Sequence, residues 1–282
     1  MQIRKFYFGA GLAWLCLGVG AAGNAAAVDA RPLEGDYVIH DFHFASGETL
    51  PELRMHYTYF GKPKKDVLGR VTNAVLIMHG TGGSGRSLVN ERFSSVLFGK
   101  GQLLDADKYY IILPDGIGHG KSSKPSDALR MRFPQYSYQD MVLAQYLLLT
   151  KGLDVNHLRL VMGTSMGAMH TWVWGYTYPD FMDALMPLAS LPVAIAGRNR
   201  VMRKMAIEAI ESDPLWKGGE YTEVPATGMR GAYSSLFFMT SSPYMLQKRA
   251  PTREQAEKAL DAGVGGFLKT QDPNDFIYAF DA

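Results

Sequence analysis

The sequence predicts an α/β fold: a mostly parallel, doubly wound sheet with helices on its faces, followed by a helical cap. Three observations predict it. Short apolar runs recur at 74–78 (AVLIM), 109–113 (YYIIL) and 158–162, the texture of strands buried on both faces. Helix-like segments separate such runs, as the crossovers between parallel strands require. Two glycine-rich loops follow strand ends, where sheets of this kind bind ligands.

The chain opens with a secretory signal over 1–27. Arg4 and Lys5 form its charged region, Phe6 to Ala22 is almost wholly apolar or small, and Ala25-Ala26-Ala27 offers a cleavage site. No twin arginine precedes the apolar run, and Cys16 lacks the setting of a lipidation signal. Cleavage removes the chain's single cysteine, so cysteine catalysis and disulfides are both excluded. It also takes two of the 29 Lys plus Arg, leaving 27 against 27 Asp plus Glu, a neutral mature chain. That balance gives no reason to expect a nucleic-acid partner. The expected location is periplasmic or secreted, with no stable membrane span once the signal is gone.

Residues 28–192 are the expected core. The segments 37–43 (YVIHDFH) and 53–59 (LRMHYTY) alternate as two exposed-edge strands. The buried run 74–78 follows, then a loop, His79-Gly80-Thr81-Gly82-Gly83-Ser84-Gly85-Arg86-Ser87. This loop nearly spells a phosphate-binding P-loop, but Arg86 stands where lysine belongs. After the strand 109–113 comes a helix over 138–151, with Ser137 as N-cap, Asp140 three residues on, and Gly152 past its end. The strand 158–162 leads into Gly163-Thr164-Ser165-Met166-Gly167 and a helical run ending near Tyr178. A sixth strand lies within 184–191, interrupted by Pro187. Residues 193–282 are the expected cap. Helical spacing covers 198–211 and 227–248, and Thr252 with Gln255 form a further capping box.

The chemistry centres on Gly163–Gly167, which fits G-x-S-x-G. Between a buried strand and a helix this is a sharp turn that lifts a nucleophilic serine, Ser165, to an exposed apex. The Met166 N–H then stands at a helix N-terminus, where it can stabilise a developing oxyanion. Backbone N–H groups at Gly80 and Thr81 are the candidate second donors. No cofactor and no metal site are expected. His40 and His43, three apart on a strand, face opposite sides.

The ordered series MHGTGGSG (78–85), LLDADKYYIILPDGIGHGKSSKPSD (103–127), YSYQDMVLAQYLLL (136–149), GTSMGAMH (163–170) and DPLWKGGEY (213–221) resembles the α/β-hydrolase superfamily, in its homoserine O-acetyltransferase-like branch. The resemblance spans roughly residues 50 to 245. It implies acyl transfer through Ser165 on a small-molecule acyl substrate, with Met166 and the 80–81 loop as oxyanion donors. It also implies that Asp115 and His119 shape the loop after the fourth strand. Thr164 and Ala168 replace glycines found in the transferases. An acetyl-CoA-dependent transfer fits an exported chain poorly, so hydrolysis is the expected reaction. Acyl transfer and a non-catalytic ligand-binding role are the alternatives.

A serine of this kind takes its proton to a histidine downstream, yet His170 is the last histidine and 112 residues follow it. It lies about 140° around the helix from Ser165. His79 is beside the oxyanion loop but on the wrong strand for a base. Asp272, Asp275 and Asp281 are expected as surface or capping carboxylates. The expectation is a chain lacking the last strands of its fold, and weakly active or inactive as written.

Overall fold

The computed structural model describes residues 31–282, so the signal sequence expected over 1–27 lies outside the described residues. One six-stranded sheet, in the order β1-β2-β4-β3-β5-β6, organises the chain. Strands β1 (Leu33–His43) and β2 (Thr49–Phe60) form an antiparallel hairpin. Gly47, at φ 90°, turns the chain between them, and its N–H donates to Phe44 O. Only β1 is an edge. The other face of the expected edge pair is closed, because β2 is also paired antiparallel to β4, with Tyr57 opposite Pro114. Leu53 and Met55 of β2 are fully buried.

Strands β3 (Ala74–Met78), β4 (Tyr110–Pro114), β5 (Leu160–Thr164) and β6 (Leu185–Leu188) run parallel. The short α1 (Ser94–Leu97) lies between β3 and β4. All five residues of β3 and of β4 are buried, as continuous apolar runs on a sheet covered on both faces require. Helix α2 (Tyr138–Leu147) starts at the anticipated box. Ser137 Oγ accepts from the Asp140 N–H, and Asp140 Oδ2 accepts from Ser137 N–H at 2.8 Å. The α-helix stops at Leu147 and one wider turn carries the chain to Gly152, short of the helix expected to 151.

Helix α3 (Met166–Thr177) follows β5 and buries Trp174 against α2, where the Trp174 indole N–H donates to Gln145 Oε1 at 2.9 Å. After β6 the chain is helical: α4 (Gly197–Glu211), α5 (Ala226–Thr240), α6 (Pro243–Arg249), α7 (Arg253–Thr270) and α8 (Pro273–Asp281). The segment of helical spacing over 227–248 divides into α5 and α6, because Ser242 caps α6 and Pro243 occupies its first position. The capping box of Thr252 with Gln255 forms at α7 as anticipated. Helices α4, α5, α7 and α8 share an apolar cluster that includes Ala206, Ile210, Met229, Ala232, Phe267 and Phe276. Among the described residues no helix is long and apolar enough to cross a membrane.

Candidate active site

Ser165 stands at the junction of β5 and α3 with φ 54° and ψ −115°, a conformation that costs a non-glycine residue energy. The surroundings hold it there. Its N–H donates to Leu188 O of β6, and its carbonyl accepts from the N–H groups of Ala168 and Met169, each at 3.0 Å. The two flanking glycines make that geometry possible. A Cβ on Gly163 would strike the Gly167 carbonyl, and one on Gly167 would strike the Met78 carbonyl at the end of β3. Only hydrogens in those places let the strand–turn–helix unit close. Ser165 is left exposed while its neighbours Gly163, Met166 and Gly167 are buried.

The loop after β3 comes up beside it. A Cβ built on Gly80 would lie 3.4 Å from the Ser165 Cβ and 4.0 Å from its Oγ. His79 orients this loop. Its Nε2 accepts from the Gly116 N–H at 3.0 Å, so the proton is on Nδ1, which donates to Gly80 O at 2.8 Å. The Gly80 carbonyl and the Thr81 N–H belong to one planar peptide and point in opposite directions. Fixing the carbonyl therefore fixes the N–H. The N–H groups of Gly80, Thr81 and Met166 have no acceptor among the described residues. Gly80, Thr81 and Ser165 line one cavity, and free backbone donors of this kind can stabilise an oxyanion where they point to it.

The phosphate reading of the same loop does not survive. The Gly83 N–H donates to Gly80 O, the Ser84 N–H to Ser87 Oγ, the Gly85 N–H to Asp115 Oδ1 and the Ser87 N–H to Ser84 O. A P-loop needs such groups turned to the phosphate; here three close the loop on itself and the Gly85 N–H is spent on Asp115. Asp115 also accepts from the Lys121 N–H, so it braces two loops, as the resemblance implied.

No histidine serves Ser165. Burial holds His79 at a pKa of about 3 and commits both its nitrogens to the backbone. His119 is buried with its ring nitrogens each 2.8 Å from a carbonyl, Ile117 O and Thr81 O, and burial also lowers its pKa. His170 is 1% exposed, packs edge-on against Tyr138, and is held by burial at about 3. Asp272 caps α8, its Oδ1 accepting from the Asn274 and Asp275 N–H groups, as anticipated. Asp281, half exposed, pairs with Arg200 at 2.8 Å. Asp275 is not a surface carboxylate: it turns inward and accepts from both the N–H and the Oγ–H of Ser126 at 2.8 and 2.6 Å, and burial raises its pKa to about 6.

A cavity of 790 Å³ opens on Ser165 between the glycine loop and helices α4, α5, α7 and α8. Met202, Phe267, Phe276 and Phe280 give it apolar walls, while Thr81 and Arg203 supply polar groups. Sequence reasoning missed Arg203 as distinct from its neighbours. Its signal was weak: Arg198, Arg200 and Arg203 share α4 and only packing separates them. Among the described residues no group of three or more metal-ligating side chains occurs.

A model of the alpha/beta hydrolase fold matches residues 73–256. Over 243 residues the chain is 30% identical to a probable acyltransferase of Methanothermobacter thermautotrophicus, covering 86% of this chain and 72% of that protein. It is 33% identical over 208 residues to the homoserine O-acetyltransferase of Moorella thermoacetica, covering 66% of this chain. There it spans about half of the relative's length, 53%. Among solved structures, the acetyl esterase MekB superposes with a TM-score of 0.75 at 25% identity, over 88% of this chain and 72% of that one. The homoserine O-acetyltransferase from Bacillus anthracis superposes with a TM-score of 0.78 at 22% identity, over 89% and 75% of the two chains, a likeness of fold.

Proposed function

Since the chain belongs to the alpha/beta hydrolase fold family, we propose that it is an exported, serine-nucleophile acyl-transfer protein that hydrolyses small-molecule esters through Ser165. The observation that carries this reading is the strained, exposed Ser165 together with N–H groups at Gly80, Thr81 and Met166 that find no acceptor among the described residues.

In the proposed reaction Ser165 Oγ attacks the ester carbonyl carbon, and the carbonyl oxygen takes up the electron pair as an oxyanion between those donors. The tetrahedral species collapses, the C–O bond to the alcohol breaks, and the alcohol departs carrying a proton. Water then attacks the acyl-serine, releasing the carboxylic acid and restoring the hydroxyl. The proton of Ser165 passes to solvent water, since the nitrogens of His79, His119 and His170 are engaged or buried elsewhere. Water is the acceptor the N-terminal export signature favours. The relatives named as acyltransferases support a second acceptor, an alcohol of the kind homoserine provides.

The test is covalent labelling by a fluorophosphonate, read by intact mass, alongside release of p-nitrophenol from p-nitrophenyl acetate. Stoichiometric labelling that Ser165→Ala eliminates is expected. Labelling unchanged in Ser165→Ala, or saturable ester binding with no acyl-enzyme over hours, refutes the reading and favours a non-catalytic binding protein. Adding homoserine during turnover separates the acceptors: free acetate marks hydrolysis, O-acetylhomoserine marks transfer.

A further inference from the structure

We propose that Arg203 is a positioning residue for the oxyanion loop, acting through the Thr81 hydroxyl and so coupling the seating of the cap to the Ser165 site. The proposal rests on the reading of Thr81 as an oxyanion donor.

Arg203 lies on α4 and is only 5% exposed. A buried guanidinium ordinarily sits against a carboxylate, because removing the charge from water costs several kcal/mol. Among the described residues no carboxylate lies within 4.0 Å of it. Its charge is met by dipoles instead. Nη1 donates to Phe280 O at 3.1 Å and Ala279 O at 3.4 Å, carbonyls of the last turn of α8. That helix end carries the negative pole of the backbone dipoles. Nε donates to Asn199 Oδ1 at 3.1 Å, and the guanidinium lies 5.1 Å from the centre of the Phe280 ring. Four contacts from α4 and α8 thus fix where the guanidinium stands.

A further contact reaches the glycine loop. Nη2 donates to Thr81 Oγ1 at 3.3 Å, crossing 122 positions of sequence to reach the glycine loop. The Thr81 carbonyl lies 2.8 Å from His119 Nε2. The flanking residues Gly80, Gly82 and Gly83 supply no side chains of their own to hold the loop. The Thr81 side chain is therefore the handle by which the cap grips it. Phe276 and Phe280, on the helix that anchors Arg203, line the same cavity as Ser165. A ligand that shifts α8 moves the guanidinium, and with it the donor N–H. An error of about 1 Å at such a donor is enough to cost a hundredfold in rate.

The test compares Thr81→Val, which removes the hydroxyl at equal volume, with Thr81→Ser, which keeps it, and with Arg203→Met, singly and combined with Thr81→Val. The readouts are the fluorophosphonate labelling rate of Ser165 and hydrogen exchange of the 79–85 segment. Thr81→Val is expected to label about tenfold more slowly and to exchange faster, while Thr81→Ser stays within about twofold of the parent. Arg203→Met should match Thr81→Val, and the double variant should be no slower than the slower single. Equal rates for Thr81→Val and the parent, or effects that multiply in the double variant, overturn the proposal. Should Arg203→Met fail to fold, the Val and Ser variants at Thr81 decide alone. Failure of the acyl-enzyme reading itself shows differently, as labelling that Ser165→Ala does not remove; exchange in Thr81→Val and Arg203→Met then decides the coupling by itself.

Discussion

The Gln145 side-chain amide donates to His170 Nδ1 at 3.4 Å, which places the last histidine of the chain in the core between α2 and α3. The ring's other nitrogen, Nε2, is buried without a partner. A neutral imidazole carrying its proton on Nε2 fits that site, and a charged one does not. The histidine nearest in sequence to Ser165 is thus a packing residue.

Acid stability follows from this. Burial holds both His170 and His79 at about 3, against an ordinary 6.5. Their folded-state affinity for protons is depressed, so the unfolded chain binds more protons below neutrality. The stability they contribute is complete above pH 6.5 and is lost as pH falls toward 3. Thermal melts of His170→Gln should lose less stability than the parent between pH 7 and pH 4; an unchanged slope would show that His170 is solvated.

Asp275 has the opposite sign. Burial raises its carboxyl from 3.8 to about 6, so the folded state holds the proton more tightly than the unfolded chain. Its contribution is present below pH 3.8 and lost as pH rises through 6. Asp275→Asn keeps the partners at Ser126 and removes that titration. Relative to the parent, the variant should gain stability with rising pH, reaching on the order of 2–3 kcal/mol by pH 7. Chemical denaturation at pH 4 and pH 7 measures the difference, and a constant offset between the two would contradict it.

Two glycines at the site should separate stability from reactivity. A methyl on Gly167 collides with the Met78 backbone, which cannot retreat without disturbing β3. Gly167→Ala should cost about 2 kcal/mol or more. A methyl on Gly80 meets Ser165 Cβ at 3.4 Å, an ordinary contact. Gly80→Ala should therefore fold normally and label slowly, because the added group crowds the approach to Ser165. Equal melting temperatures for both variants would show that the elbow is less tightly packed than described.

The Ser137–Asp140 capping box is the plainest local prediction. Ser137→Ala removes the acceptor for the Asp140 N–H and one donor to the Asp140 carboxylate. A loss of about 1 kcal/mol is expected, read from the denaturation midpoint. A change below about 0.3 kcal/mol would show that the start of α2 is fixed by packing alone.

Much of this was legible in the sequence because it is local. The apolar runs 74–78 and 109–113, the two capping boxes, and the glycines at 163 and 167 each act within a few residues, so period and spacing disclose them. The failures were matters of partnership. Alternation marks β2 as a strand but not that β4 closes its second edge. Spacing makes 227–248 helical, yet the chain turns at Ser242-Pro243. Asp275 reads as a surface carboxylate until Ser126, 149 positions away, folds against it.

The sequence by itself therefore determined the α/β order of elements, the elbow at Ser165 and the glycine loop that meets it, since each depends on backbone preferences of adjacent residues. Only the tertiary structure decided which histidines are spent on the backbone, how the phosphate-like loop closes on its own N–H groups, and that Arg203 reaches Thr81. Those are pairings across the whole chain. What fixes them is the need of each buried polar group to find a partner once water is gone, and that need has no period to read.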